Sequence, residues 1–277
     1  MPVIFLRHDN IQHKSEKTIA KCFKEADFIV FSAFLIEFFP FCAILSLIIR
    51  TKQSNISTEL SKMANINPFD DLKERGFIYQ CTAEETLKEL LQKEKIRFYV
   101  GFDPTGNSLH VGHLLPVMAM RRMQQAGHHP IVLVGGATGL IGDPSGKTEA
   151  RPILSKETVA ENVRCLQKQL ARFISVENAT FVNNIDWFGG MLYLDYLREI
   201  GSKFSVNRML SAESAKMRLN SEAGLSFLEF NYMTLQAYDF YILNRDYGCQ
   251  LQMGGQDQRG NTPSGPDLVR RIGKSEA

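Results

Sequence analysis

The stretch Arg97-Phe-Tyr-Val-Gly-Phe102, followed by Asp103 and then by Pro104-Thr-Gly-Asn-Ser-Leu-His-Val-Gly-His113, decides how this chain is read. Its first six residues are rich in aromatic and branched types and predict a strand. Residues 114–125 carry apolar side chains at helical spacing and predict a helix. The segment between them therefore sits at a strand-to-helix junction, where unpaired backbone N–H groups and the positive end of the helix dipole face a ligand. His110 and His113, three positions apart, share one face of the first turn. Gly112 between them lets a flat base approach the backbone. The combination predicts a phosphate-handling site and adenylyl transfer.

The same alternation runs outward. Residues 68–76 and 83–93 read as helices, the second with Thr82 as N-cap and Glu85 three residues on. Residues 130–135 form an unbroken apolar run suited to a strand buried on both faces. Residues 156–173 have helical spacing, 179–182 read as a strand, 227–244 as a long helix and 249–253 as another strand. Strands alternating with helices predict an α/β fold, a parallel sheet with right-handed crossovers. No internal repeat or low-complexity tract appears.

Bulk composition sets limits. The 277 residues carry a formal charge of +2, so any RNA contact must be a local patch. Cys22, Cys42, Cys81, Cys165 and Cys249 lie far apart with no C-x-x-C pair and read as buried thiols in a reducing, cytoplasmic setting. Four of the six histidines fall between positions 110 and 129, and no thiol or acid is spaced to complete a metal site, so none is expected. Adjacent His128 and His129 read as surface residues.

Residues 1–62 differ from the rest. Residues 28–49 are 22 in number and almost wholly apolar, with one acid, Glu37, and one proline, Pro40. That length spans a bilayer, and a carboxylate near the middle costs only about 2.5–3.5 kcal/mol. A secretory signal fits poorly, because a charged segment of 27 residues precedes the run. Three readings stay open: a non-functional extension ahead of a domain opening at Met63, a membrane anchor through 28–49, or a buried helical appendage. The division is then an extension, 1–62, and a catalytic domain, 63–277.

Four motifs stand in order: Phe98-Tyr-Val-Gly-Phe-Asp-Pro-Thr-Gly-Asn-Ser-Leu-His-Val-Gly-His113, Gly135-Gly-Ala-Thr-Gly-Leu-Ile-Gly-Asp-Pro-Ser-Gly-Lys147, Asn231-Tyr-Met-Thr-Leu-Gln-Ala-Tyr-Asp-Phe240 and Leu251-Gln-Met-Gly-Gly-Gln-Asp-Gln258. Over residues 67–271 the chain strongly resembles bacterial and organellar tyrosyl-tRNA synthetases. The resemblance implies a class I, Rossmann-like catalytic domain, here incomplete. It implies activation of L-tyrosine with ATP (carrying Mg2+), transfer to tRNA(Tyr), and a homodimer.

By resemblance His110 and His113 donate to the phosphates, Thr105 on the same loop assists, and Lys147 and Arg151 neutralise pyrophosphate. Gly101, Asp103, Gly112, Gly254 and Asp257 join the two histidines around ATP, the last two at the ribose. Gly142-Asp-Pro-Ser-Gly-Lys-Thr148 mimics a P-loop, but three residues rather than four separate its glycines, so that reading is rejected. Tyr232, Gln236 and Asp239 are spaced i, i+4, i+7 and line one helix face. With Asp143, Tyr232 and Gln236 suit an ammonium. Asp239 suits a phenol O–H, and Tyr99 a phenol oxygen. Gln252 and Gln258 also meet the tyrosine, and Asn184 and Trp187 resemble pocket-wall residues.

Departures from the family pattern are Gln256, where Ser is usual, and Arg259, where a large apolar residue is usual. Pro263 and Pro266 are expected to break the next helix. No Lys-Met-Ser-Lys-Ser-type second signature and no anticodon-binding region lie before Ala277, which predicts weak activation and little tRNA charging by this polypeptide. The alternative reading is an inactive remnant that binds tyrosine and ATP, with residues 28–49 as a membrane tether. Rivals of other kinds are a different His-x-Gly-His adenylyltransferase and a tryptophanyl-type synthetase.

Overall fold

The computed structural model describes residues 1–7, 67–145, 153–222 and 224–273, with the backbone alone at 213 and 214. The apolar run 28–49, the start expected at Met63, Cys22, Cys42, Lys147 and Arg151 lie outside the described residues.

The strands are β1 (Val3–Leu6), β2 (Ile78–Cys81), β3 (Arg97–Phe102), β4 (His129–Val134), β5 (Thr180–Asn183) and β6 (Cys249–Gly255). They form one sheet in the order β2-β1-β6-β3-β4-β5, parallel except where β2 runs against β1. The helices are α1 (Pro68–Glu74), α2 (Glu84–Lys93), α3 (Val111–Gln125), α4 (Thr138–Ile141), α5 (Lys156–Leu170), α6 (Ile185–Phe188), α7 (Tyr193–Glu199), α8 (Val206–Leu210), α9 (Glu213–Leu219), α10 (Phe227–Tyr247) and α11 (Ser264–Gly273). This is the expected α/β architecture.

Alternation along β3 and β4 sends side chains to two cores. Phe98, Val100, Phe102, Val132 and Val134 pack with Leu87, Val117, Met118 and Leu166 on one face. Tyr99, Ile131 and Leu133 pack with Phe240 and Leu243 of α10 on the other. Helix α10 opens on a capping box, Ser226 with Glu229, and closes on Gly248 at φ 63°. Its Glu229 also takes both bonds of a buried pair with Arg218, each 2.9 Å.

Several expectations need correction. Val3–Leu6, assigned to the extension, is an interior strand of the sheet, buried throughout and paired with β2 and β6. Thr82 does not cap α2. Its hydroxyl accepts from Val3 N–H at 3.1 Å, and the cap position is Ala83 without a side-chain bond. Pro266 does not break α11, because it lies in the first turn, where a missing N–H costs no bond. Arg259 finds a partner in the Tyr79 ring, 5.6 Å away. Of the described cysteines only Cys249 is buried; Cys81 and Cys165 are half-buried.

His128 is not a surface residue: it is 2% exposed, and its Nδ1 accepts from Ile96 N–H at 3.3 Å. Burial pushes its pKa down to about 4. His129 pairs through Nε2 with Thr180 Oγ1 at 2.8 Å, tying β4 to β5. Both rings belong to the sheet's seams.

Candidate active site

From β3 the chain builds β4 and β5 on one side, then crosses to β6 on the other. The winding reverses between β3 and β6, and ligands of open α/β sheets bind outside the carboxyl ends of the strands at such a point. A cleft of about 370 Å³ opens there, within the range of about 300–1,000 Å³ typical of small-molecule sites. Tyr99, Gly101, Asp103, Thr105, His110, Gly112, His113, Asp143, Tyr232, Gln236, Asp239, Gln252, Gly254, Asp257 and Gln258 all line it. The described candidates other than Asn184 and Trp187 are thus brought to one place.

At one wall the two imidazoles stack with ring centres 3.8 Å apart. His110 is the N-cap of α3, and its Nδ1 accepts from Gly112 N–H at 3.1 Å. His113 Nδ1 accepts from His110 N–H, also at 3.1 Å. An Nδ1 that accepts is unprotonated, so the neutral ring carries its proton on Nε2. Both rings are therefore set as Nε2 donors. Gly112 leaves room for this pair: a Cβ there would stand 2.9 Å from His110 Cε1.

Asp103, just past β3, organises the floor. Its Oδ2 accepts from the Tyr232 hydroxyl and its Oδ1 from Thr138 Oγ1, both at 2.7 Å. Gly135 makes room for this, since a Cβ there would lie 2.3 Å from Asp103 Oδ1. Asn184 donates through Nδ2 to Thr138 Oγ1 at 3.0 Å and to Asp239 Oδ2 at 3.1 Å, and Trp187 Nε1 donates to Asp239 Oδ1 at 2.8 Å. Asn184 and Trp187 thus stand behind the cleft, holding Asp239, and do not themselves line it.

Asp239 is 2% exposed, and burial pushes its pKa up to about 8 against the Asn184 and Trp187 bonds. Beside it Tyr99 accepts through its hydroxyl from Gln252 Nε2 at 2.6 Å. These two residues are direct register partners, Tyr99 on β3 and Gln252 on β6. Burial raises the Tyr99 phenol well above its ordinary range, so it keeps its proton.

The third group is Asp143, Gln258 and Gln236. Gln258 Nε2 donates to Asp143 Oδ2 at 2.7 Å, and Gln236 Nε2 donates to Gln258 Oε1 at 3.1 Å. Burial, then the charge of Asp103, lifts Asp143 to about 6. Gln236 Oε1 and Gln252 Oε1 are buried acceptors that find no donor among the described residues. An unsatisfied buried acceptor costs about 1–3 kcal/mol, so the cleft is built for something that brings donors.

Sequence reasoning missed Thr138, Ser145, Leu6 and Arg7, which also line the cleft. Thr138 and Ser145 stand within motifs already singled out, so their hydroxyls were visible there. Leu6 and Arg7 carried no local signal.

The model of the family described as tRNA synthetases class I (W and Y) matches residues 91–277. A tyrosine–tRNA ligase of Clostridium botulinum is 58% identical over 208 residues, 74% of this chain and 51% of that protein. One from Clostridium perfringens is 54% identical over 217 residues, 78% of this chain and 52% of that protein. The chain spans about half the length of the curated relatives it matches. Among solved structures, a C-terminally truncated mitochondrial tyrosyl-tRNA synthetase from Aspergillus nidulans is similar, with TM-score 0.67, 29% identity, and cover of 80% of this chain and 68% of that one.

Proposed function

The chain belongs to the class I tRNA synthetases of the tryptophan and tyrosine type, and from that premise we propose that its cleft binds L-tyrosine and ATP, joins them as tyrosyl-adenylate and serves the charging of tRNA(Tyr). The observation that carries this reading is the opposite polarity of two tyrosines. Tyr232 donates its O–H to Asp103 and offers only acceptor lone pairs to the cleft. Tyr99 accepts a hydrogen bond from the Gln252 amide and keeps its own O–H to donate. An ammonium needs acceptors, and Tyr232, Asp143 and the undonated Gln236 Oε1 supply them. A phenol needs an acceptor for its proton and a donor for its oxygen, which Asp239 and Tyr99 supply. A ligand hydroxyl at Asp239 also favours its ionised form.

In the reaction a tyrosine carboxylate oxygen bonds to the α-phosphorus. The bond from that phosphorus to the bridging oxygen breaks, and pyrophosphate leaves with that oxygen. No protein nucleophile is required, so rate comes from placement and from donors aimed at the developing charge. The Nε2 protons of His110 and His113 are such donors, with Thr105 beside them. Gly254 and Asp257 face the ribose, and Gly101, Asp103 and Gly112 shape the wall. Lys147 and Arg151 are assigned to pyrophosphate by resemblance alone. Mg2+ arrives with the ATP; among the described residues no group of three His, Cys, Asp or Glu side chains is placed to hold a metal.

Two further parts of the proposal rest on the surface. Leu192, Tyr193, Leu194, Val206 and Phe227 are each more than half exposed, and apolar side chains in such numbers favour a homodimer. Unpaired thiols at Cys81, Cys165 and Cys249 suit the cytoplasm. Among the described residues no helix is long and apolar enough to cross a membrane. The test of function is tyrosine-dependent exchange of labelled pyrophosphate into ATP, with phenylalanine and tryptophan as competitors. Exchange supported by tryptophan in place of tyrosine overturns the substrate assignment.

A further inference from the structure

Strand β1 runs parallel to β6, with Leu6 in register with Gly255, so its carboxyl end reaches the same edge of the sheet as the cleft. Arg7 follows immediately. Its backbone N–H donates to Phe77 O at 2.9 Å, which fixes the chain where the strand ends. Arg7 lines the cleft together with Gly254, Asp257, His110 and His113.

The charges of the cleft give this placement its meaning. Among the described residues lining it are four aspartates, Asp103, Asp143, Asp239 and Asp257, of which burial raises Asp143 and Asp239, and Arg7 alone carries a permanent positive charge. A triphosphate brought into such a site meets repulsion unless a cation faces it. A guanidinium is suited to the task, being always charged and able to grip phosphate oxygens two at a time. The residue also lies outside the segment matched by the family model, 91–277.

We propose that Arg7, carried to the cleft by the strand Val3–Leu6, binds the phosphate chain of the nucleotide. The proposal rests on reading the cleft as a tyrosine and ATP site. Arg7 is exposed, and the substitution leaves its anchoring N–H in place, so Arg7→Ala retains the strand.

Titration calorimetry on the full chain tests it with ATP, inorganic pyrophosphate and L-tyrosine as separate ligands, for the parent, Arg7→Ala, Arg7→Lys and Asp239→Ala. Arg7→Ala is expected to weaken ATP and pyrophosphate by about five- to tenfold while tyrosine affinity stays within about twofold. Arg7→Lys recovers part of the loss, and the difference between parent and Arg7→Ala shrinks in high salt. Unchanged ATP affinity in Arg7→Ala overturns the proposal, as does a parallel loss of ATP and tyrosine, which would mean that only the strand's packing was disturbed. If the parent binds both ligands and Asp239→Ala loses tyrosine, the reading of the cleft survives whatever Arg7→Ala does. If the parent binds neither ligand, that reading fails and takes the role of Arg7 with it.

Discussion

Tyr232 and Asp103, 129 positions apart in the chain, meet through a 2.7 Å hydrogen bond in which the phenol donates to Oδ2. The bond ties the long helix α10 to the loop after β3, the two elements that carry most of the site. It also decides which way the Tyr232 oxygen works in the cleft. Replacing Tyr232 with Phe should cost about 1 kcal/mol of stability, because the half-buried Asp103 carboxylate loses a donor. Tyrosine affinity should fall about tenfold with the loss of an ammonium acceptor. Urea unfolding and tyrosine titration check the two parts, and an unaltered affinity would remove Tyr232 from the ammonium site.

Gly112 offers a sharper separation of fold from activity. Alanine is the better helix former by up to about 1 kcal/mol, so Gly112→Ala should not destabilise α3. Its Cβ would nevertheless press on the His110 ring, 2.9 Å from Cε1. The ring must turn away, and its Nε2 donor goes with it. The rate of tyrosyl-adenylate formation should drop about 10²–10³-fold, as for a lost transition-state donor, in Gly112→Ala and His110→Ala alike. Tyrosine affinity should not change. A fully active Gly112→Ala would show that the ring's position does not matter.

The two raised carboxyls make folding and tyrosine binding respond to pH in opposite directions. Asp143 and Asp239 sit at about 6 and about 8 in the folded protein, both above the model-compound value of 3.8. The folded state then holds protons that the unfolded chain has released. This contribution to stability is complete below about pH 4 and is lost as the pH rises through 6 and then 8. Asp239→Asn should remove the upper step. The fall in unfolding free energy between pH 5 and pH 9 should then be smaller by on the order of 4 kcal/mol, measured by urea melts at both values. Tyrosine binding runs the other way and should strengthen from pH 5 to pH 7 as Asp143 ionises against the ammonium. A flat binding profile would mean that Asp143 does not face the charge.

The buried Arg218–Glu229 pair supports α10 from outside the cleft. Glu229→Ala strands Arg218 and also undoes the capping box with Ser226. A loss of about 3–5 kcal/mol is expected from the orphaned charge, read as a lower urea midpoint. Tyrosine should restore part of it by mass action. A loss below about 1 kcal/mol would mean that water reaches the guanidinium.

Much of the site could be read from spacing. The step from Phe102 to His113 and the i, i+4, i+7 face of Tyr232, Gln236 and Asp239 are local patterns, and local patterns survive folding. What failed was non-local. Val3–Leu6 is four apolar residues whose partners, Ile78–Cys81 and Cys249–Gly255, lie far along the chain, and nothing in its own periodicity names them. Thr82 had the right type for a cap, but Val3 N–H took its hydroxyl. His128 was judged by polarity, whereas its neighbours across the β3–β4 seam decided its burial. The directions of the bonds at Tyr99 and Tyr232, on which the proposed recognition turns, depend on Gln252 and Asp103, partners far away in the chain.

The interior place of β1 bears on how the protein should be handled. Strand β2 is joined to the sheet only through β1 among the described residues. Removing the first seven residues would strip β2 away and leave the backbone of β6 bare. A naked parallel edge invites another molecule to pair with it. Larger species seen after trimming the amino terminus would then report edge-to-edge adhesion, and should not be taken as evidence for the proposed homodimer.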